Sequence, residues 1–285
     1  MRVHNHFPGL LVRSLLAAGL FALAGRGANA DDLATIKQRG ALTVGVKADY
    51  PPFGFRSPSG EIEGIEPALA ADVAKSLGVK LELVAVLASN RIQLLQQGKI
   101  DLIIATMNST MGRRFAVEIV KPYYYAAGYN VMVPKSMDLT SWAELKGKPV
   151  CGIQGAYYNN EAAVNFALKI TEFAGSAEAL TALKQGGCLG LLYDDAAIAG
   201  DMLEAEWRNY DMPLASQEVQ PWGLAVRKDQ PEWASCLSGI VKNWARQGTI
   251  LDLETKYHIK HSKFAEDAHQ KASLGAWEDL RPCDG

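Results

Sequence analysis

Short apolar runs alternate with amphipathic stretches through most of the chain. Residues 42–46 (Leu-Thr-Val-Gly-Val) read as a buried strand, and 80–86 alternate as a second. Asp101-Leu102-Ile103-Ile104-Ala105 predicts a third strand over 101–105. Between them the spacing predicts helices over 66–78, closed by Gly78, and over 90–97, with Ser89 as N-cap and Gly98 at the end. A short helix over 33–39 precedes the first strand. Tyr50-Pro51-Pro52-Phe53 is excluded from any element interior, because two prolines remove donors and fix φ. Ser57-Pro58-Ser59-Gly60 is a turn.

The rhythm then repeats. Strands are expected at 149–153, 170–173, 189–193 and 223–227. Helices are expected at about 157–169, 176–185, 194–206 and 231–247. Strand–helix–strand alternation implies parallel sheets with crossover helices, and two such units in series imply two lobes. Ligands of open α/β sheets sit beyond the carboxyl ends of the strands. The segments that matter are therefore 47–53, 87–91, 105–113, 153–158 and 193–195.

The N-terminal thirty residues break the pattern. Arg2 and Arg13 precede and flank an apolar stretch over 15–24, and Ala28-Asn29-Ala30 is a small-x-small cleavage site. That stretch is well short of the roughly 20 residues that span a bilayer. Residues 1–30 thus read as a secretory signal, and the mature chain is expected in the periplasm. The net charge of −2 becomes more negative once the three arginines of that segment leave, which argues against nucleic acid as a partner. Export makes the four cysteines Cys151, Cys188, Cys236 and Cys283 candidates for two disulfides, with three connectivities open. None forms a C-x-x-C pair, so a zinc site is unsupported. His258, His261 and His269 all fall in the C-terminal tail, which leaves a serine or cysteine nucleophile in either lobe without a base. No phosphate-cradling glycine fingerprint is present.

Several segments together carry a resemblance. They are Gly45-Val46-Lys47-Ala48-Asp49-Tyr50-Pro51-Pro52-Phe53, Gly64-Ile65-Glu66, Leu95-x-x-Gly98-x-x-Asp101-Leu102-Ile103-x-Ala105 and Thr110-x-x-Arg113. Lys121-Pro122-Tyr123-Tyr124, Leu183-x-x-Gly186, Asp194-Asp195 and Gln220-Pro221-Trp222-Gly223-Leu224-Ala225-Val226-Arg227 follow. Over about 33–258 the chain resembles the periplasmic amino-acid-binding receptors of ABC importers (family 3 solute-binding proteins). The resemblance implies the two-lobe type II periplasmic-binding-protein fold, an α/β architecture. Each lobe would be a mostly parallel sheet with flanking helices, and two hinge strands would join them. Lobe 1 would comprise 31–124 plus 222–285 and lobe 2 would comprise 126–219. In that topology the strands at 149–153 and 189–193 are neighbours, which implies a Cys151–Cys188 bridge. Cys236–Cys283 would then pin the tail to the long late helix.

The resemblance also implies a site. Arg113 stands where the family binds the ligand carboxylate, a task suited to a forked guanidinium. Thr106 and Asn108 would add hydrogen bonds. Asp194 stands where the family binds the ammonium, although it could equally cap the helix that follows. Tyr50 would stack on the ligand. Tyr157 departs from the usual Gly-Thr or Gly-Ser and would shrink the pocket or replace a hydroxyl. Lys47 and Arg91 match the aspartate/glutamate-binding subgroup and would select an acidic side chain, unless Asp49, Glu66 or Asp72 pairs with them internally. Met111-Gly112 and Glu66-Pro67 depart from the family pattern beside these positions.

The function implied is capture of an acidic or polar amino acid by a monomer and its delivery to the membrane permease of an ABC importer. No cofactor, metal or catalytic residue is implied. Three alternatives remain at this point. One is an enzyme resembling cyclohexadienyl dehydratase, in which Glu63, Glu66 or Asp194 would donate a proton. A second is a receptor for another organic anion, and a third is a ligand-sensing domain.

Overall fold

The structure is a computed structural model and describes residues 1–4, 31–277 and 283. The expected export signal lies, beyond its first four residues, outside the described residues. From Asp31 onward the chain forms one compact unit.

Helix α1 (Asp32–Arg39) is capped by Asp31, whose carboxylate accepts from the Leu33 N–H, and ends at Gly40 with φ +69°. It leads into β1 (Ala41–Val46), the first strand of a five-stranded sheet. A small antiparallel meander follows, made of β2 (Asp49–Tyr50), β3 (Gly54–Arg56) and β4 (Ile62–Glu63). Residues 51–53 form a turn directly after β2, as the prolines require, with cis geometry at Pro51-Pro52. Helix α2 (Ile65–Leu77) crosses to β5 (Lys80–Ala85), which lies parallel to β1. Helix α3 (Arg91–Gln96) crosses to β6 (Leu102–Ile103), parallel to β1 on its other side. Helix α4 (Met111–Ala116) and β7 (Glu118–Ile119) bring the chain to the far edge.

Strand β8 (Tyr125–Pro134) then leaves for a second sheet. Its near-continuous burial gives no alternating signal, and no strand of that length was expected there. The second sheet continues with β9 (Pro149–Ile153), α5 (Asn159–Asn165), β10 (Lys169–Phe173), α6 (Ser176–Lys184), β11 (Gly190–Asp194), α7 (Asp195–Asp201) and β12 (Tyr210–Asp211). Strand β13 (Gln217–Trp222) returns beside β8, pairing Trp222 with Tyr125. Strand β14 (Ala225–Val226) rejoins the first sheet between β6 and β7. Helices α8 (Pro231–Gln247), α9 (Thr249–Lys256) and α10 (Lys263–Ser273) complete the first lobe.

The sheet orders are β5-β1-β6-β14-β7 and β10-β9-β11-β8-β12, with β13 on β8. Both have parallel centres and antiparallel strands on one side. This is the two-lobe α/β fold, with β8 and β13 as the paired crossing strands. Several expected elements are shorter than their patterns. The 157–169 helix contracts to α5 because Ala167 takes φ +52° and ends it. The 194–206 helix stops at Asp201, the 101–105 strand keeps only Leu102–Ile103, and the 223–227 strand keeps only Ala225–Val226. Ser89 does not cap α3. Asn90 holds that position, and its side chain instead accepts from the Leu87 N–H at 2.9 Å.

Trp222 fills the junction of the lobes. Its ring lies 5.1 Å from those of Phe53 and Tyr125 and 6.0 Å from that of Tyr50, all fully or nearly fully buried. Cys151 of β9 pairs with Cys188, which just precedes β11, with Cα atoms 5.6 Å apart, and Cys236 of α8 pairs with Cys283. Lys37 of α1 donates to the Cys283 carbonyl at 2.8 Å, so the tail is tied to two helices. Among the described residues, no helix is long and apolar enough to cross a membrane.

Candidate functional site

The strand ends of both sheets face one another. Lys47 follows β1, Tyr50 ends β2, and Arg91 opens α3 after β5. Thr106 and Asn108 lie in the loop after β6, and Arg113 is on α4. From the second sheet, Ile153 ends β9, Ala156, Tyr157 and Tyr158 form the loop before α5, and Tyr193 and Asp194 end β11. These residues, with Ala88, line one cavity. All eight residues singled out in the sequence are among them. Tyr158, Tyr193, Ile153 and the two alanines were not singled out individually, though each lies in a segment just beyond a strand. Tyr158 was masked by its neighbour Tyr157, since adjacency in sequence does not say which of two rings turns inward.

The loop after β6 is strained and strongly held. Thr106 takes φ +47°, unusual for a β-branched residue. Its N–H donates to Glu66 Oε1 at 2.6 Å, and the Tyr124 hydroxyl donates to the same oxygen at 2.5 Å. Burial pushes the Glu66 carboxyl up. Arg91 donates to the Ala105 carbonyl and, at 3.4 Å, to Thr106 Oγ1. Ser109 N–H donates to the Pro221 carbonyl at 2.8 Å, and Gly223 N–H donates to that of Met107 at 3.0 Å. The loop is thereby seated on the crossing strand β13.

Arg113 reaches across the cleft. Nη1 donates to Asn108 Oδ1 at 3.0 Å and Nη2 donates to the Gly155 carbonyl of the other lobe at 2.9 Å. The guanidinium carbon lies 5.9 Å from the Tyr157 ring centre, and the Tyr157 hydroxyl donates to the Glu218 carbonyl at 2.6 Å. Burial, with repulsion from Arg91 second, pulls Arg113 down to about 9. Asp194 is buried and occupies the N-cap position of α7, yet makes no side-chain capping bond. Its carboxyl is pushed up to about 7 by burial and by Asp195, against the pull of Arg91 and Arg113.

Lys47 is buried, with Nζ 2.7 Å from Asp49 Oδ1. The angle lies outside hydrogen-bond range, so both atoms still lack a hydrogen bond. Of the two other acids expected as internal partners, Asp72 accepts from Trp244 Nε1 at 2.7 Å, and Glu66 serves Thr106 and Tyr124. Buried polar atoms without a hydrogen-bond partner concentrate at the cavity. Among the described residues, seven of the thirteen such atoms line it, on Lys47, Tyr50, Arg91, Asn108, Tyr158, Tyr193 and Asp194, and they include cationic donors and one carboxylate acceptor. Buried polar groups normally find partners, so this cluster suits a small polar ligand carrying both signs.

The segment 42–260 matches the family of bacterial extracellular solute-binding proteins, family 3. The chain belongs to that family. It is 32 % identical over 257 residues to the ABC transporter glutamine-binding protein GlnH of Bacillus subtilis (strain 168), covering 88 % of this chain and 93 % of that protein. It is 22 % identical over 254 residues to a glutamate/aspartate import solute-binding protein of Salmonella typhimurium (strain LT2), covering 85 % and 84 %. Its fold matches the crystal structure of the ancestral amino acid-binding protein AncCDT-1, a precursor of cyclohexadienyl dehydratase. The TM-score there is 0.70 and the identity 29 %, over 80 % of this chain and 99 % of that one. The aspartate/glutamate subgroup is thus one of several ligand classes among the relatives.

Proposed function

We propose that the chain is an exported receptor that captures a polar α-amino acid between its lobes and delivers it to an ABC import permease. The observation that carries this reading is the cluster of unpartnered polar atoms of both charges around one cavity. Arg113, with Asn108 and the Thr106 loop, receives the α-carboxylate. Asp194 receives the ammonium, which restores the charge that burial disfavours. The ring of Tyr50 covers the ligand, while Arg91 and Lys47 face its side chain. The lobes comprise 31–124 plus 222–285 and 126–219, and they close by bending at β8 and β13. The protein works in the periplasm as a monomer, since a single copy supplies both halves of the site. The named relatives, among them a glutamine-binding protein and a glutamate/aspartate receptor, support an amino acid as ligand.

A second reading is turnover of a prephenate-like dicarboxylate, which has the support of the AncCDT-1 likeness and of the Asp194 carboxyl near 7. A thermal-shift screen of refolded, ligand-stripped protein against the common amino acids, organic dicarboxylates and prephenate separates the two. Ligand well above its Kd adds a few kcal/mol, a shift of several degrees. Shifts with amino acids and unchanged prephenate support the receptor. Silence from every amino acid with consumption of prephenate contradicts it.

A further inference from the structure

We propose that Asp49 is a positioning residue that couples the ligand pocket to lobe closure and sets its side-chain preference; the inference rests on the receptor reading above. Asp49 belongs to the first lobe, on β2, and does not line the cavity. One carboxylate oxygen lies 2.7 Å from Lys47 Nζ, and Lys47 does line the cavity. The other accepts from the Ser176 N–H at 3.1 Å, on the opposite lobe. The Ser176 hydroxyl donates to the Asp49 carbonyl.

Ser176 is the first residue of α6, whose N-cap is Gly175 and has no side chain to satisfy the helix's first N–H groups. Asp49 supplies that cap from across the cleft, where a carboxylate also meets the helix dipole favourably. A Cβ on Gly175 would stand 3.0 Å from Asp49 Oδ2, so the bare glycine lets the lobes approach. The acid is shared between a pocket cation and a helix of the moving lobe, and it exists as a bridge only while the lobes meet. Asp201 of α7 is a second acid near Asp49, its carboxyl pushed up by burial first and by Asp49 second.

Two consequences follow. Lys47 enters the pocket already neutralised, as a donor and not a free charge, so a neutral polar side chain suits it better than a carboxylate. Closure also gains two hydrogen bonds that the open form lacks, which slows ligand release. Two substitutions separate these roles. Asp49→Asn removes the charge but keeps an oxygen for Ser176. Ser176→Pro removes both Ser176 donors at the first helical position, where proline is tolerated, and leaves the Lys47–Asp49 pair intact.

The measurement is stopped-flow and calorimetric binding of glutamine and glutamate to wild type and both variants. Asp49→Asn is expected to move the glutamine-to-glutamate affinity ratio at least about tenfold toward glutamate. Ser176→Pro is expected to raise koff about tenfold for whichever ligand binds, with the ratio unchanged. A ratio within twofold of wild type in Asp49→Asn, or a koff within twofold in Ser176→Pro, overturns the inference while the receptor reading stands. Absence of amino-acid binding by the wild-type chain overturns that reading, and this inference with it.

Discussion

Asp194 sits at the end of a buried strand with no capping bond to make, and burial holds its carboxyl near 7. An ammonium needs the ionised form. Below pH 7 the ligand-free site is increasingly protonated, so binding must release that proton. The Kd for a zwitterionic ligand is therefore expected to rise about tenfold for each pH unit below about 7, read by calorimetry between pH 5 and 8. In Asp194→Asn that slope is expected to vanish along with most of the affinity. Arg113 carries the opposite charge. Arg113→Ala removes a charge-assisted contact in a desolvated cleft and is expected to cost about 100-fold or more in affinity. At this scale the sequence was informative because charge and position relative to a strand end are local properties. It could not say whether Lys47 was free, since Asp49, Glu66 and Asp72 were all open as partners and only the side-chain geometry shows that Asp49 takes that place.

Among the elements, α7 packs closely against the other lobe. Gly200 lies so near the 51–53 turn that an added Cβ would stand 2.2 Å from the Pro51 carbonyl oxygen. In an isolated helix alanine is favoured over glycine by roughly 1 kcal/mol. Gly200→Ala is therefore expected to keep or raise the Tm of the ligand-free protein while weakening ligand binding at least about tenfold, because it props the lobes apart. Equal losses in both would show that the contact belongs to the fold and not to closure. The βα units were legible because their apolar runs and helix-ending glycines are written within each unit. Helix α8 and strand β9 match their expected spans. Strand β8 was not legible, because burial on both faces erases the alternation that marks a strand, and α5 was overread because its end depends on one residue at positive φ.

For the whole molecule, the same desolvation that prepares the site costs stability. Burial raises Asp194 and Asp201 to about 7 each, above the value of an unfolded aspartate near 3.9. Between these values the native state binds more protons than the unfolded state, so stability falls as pH rises from about 4 to about 7. The contribution is on the order of a few kcal/mol for each group. The ligand-free protein is expected to melt higher at pH 5 than at pH 7.5, and Asp201→Asn, outside the cavity, is expected to flatten that dependence. Saturating ligand should flatten the Asp194 part as well, since its ammonium returns that carboxylate to its ionised form.

The most direct test is calorimetric titration of the ligand-stripped mature chain and of Arg113→Ala with glutamine and glutamate at pH 7.5. One site per chain at micromolar Kd or tighter is expected for at least one of the two in the wild type, and none detectable at that level in the variant. Binding of equal strength in both proteins, or none in either, would contradict this expectation.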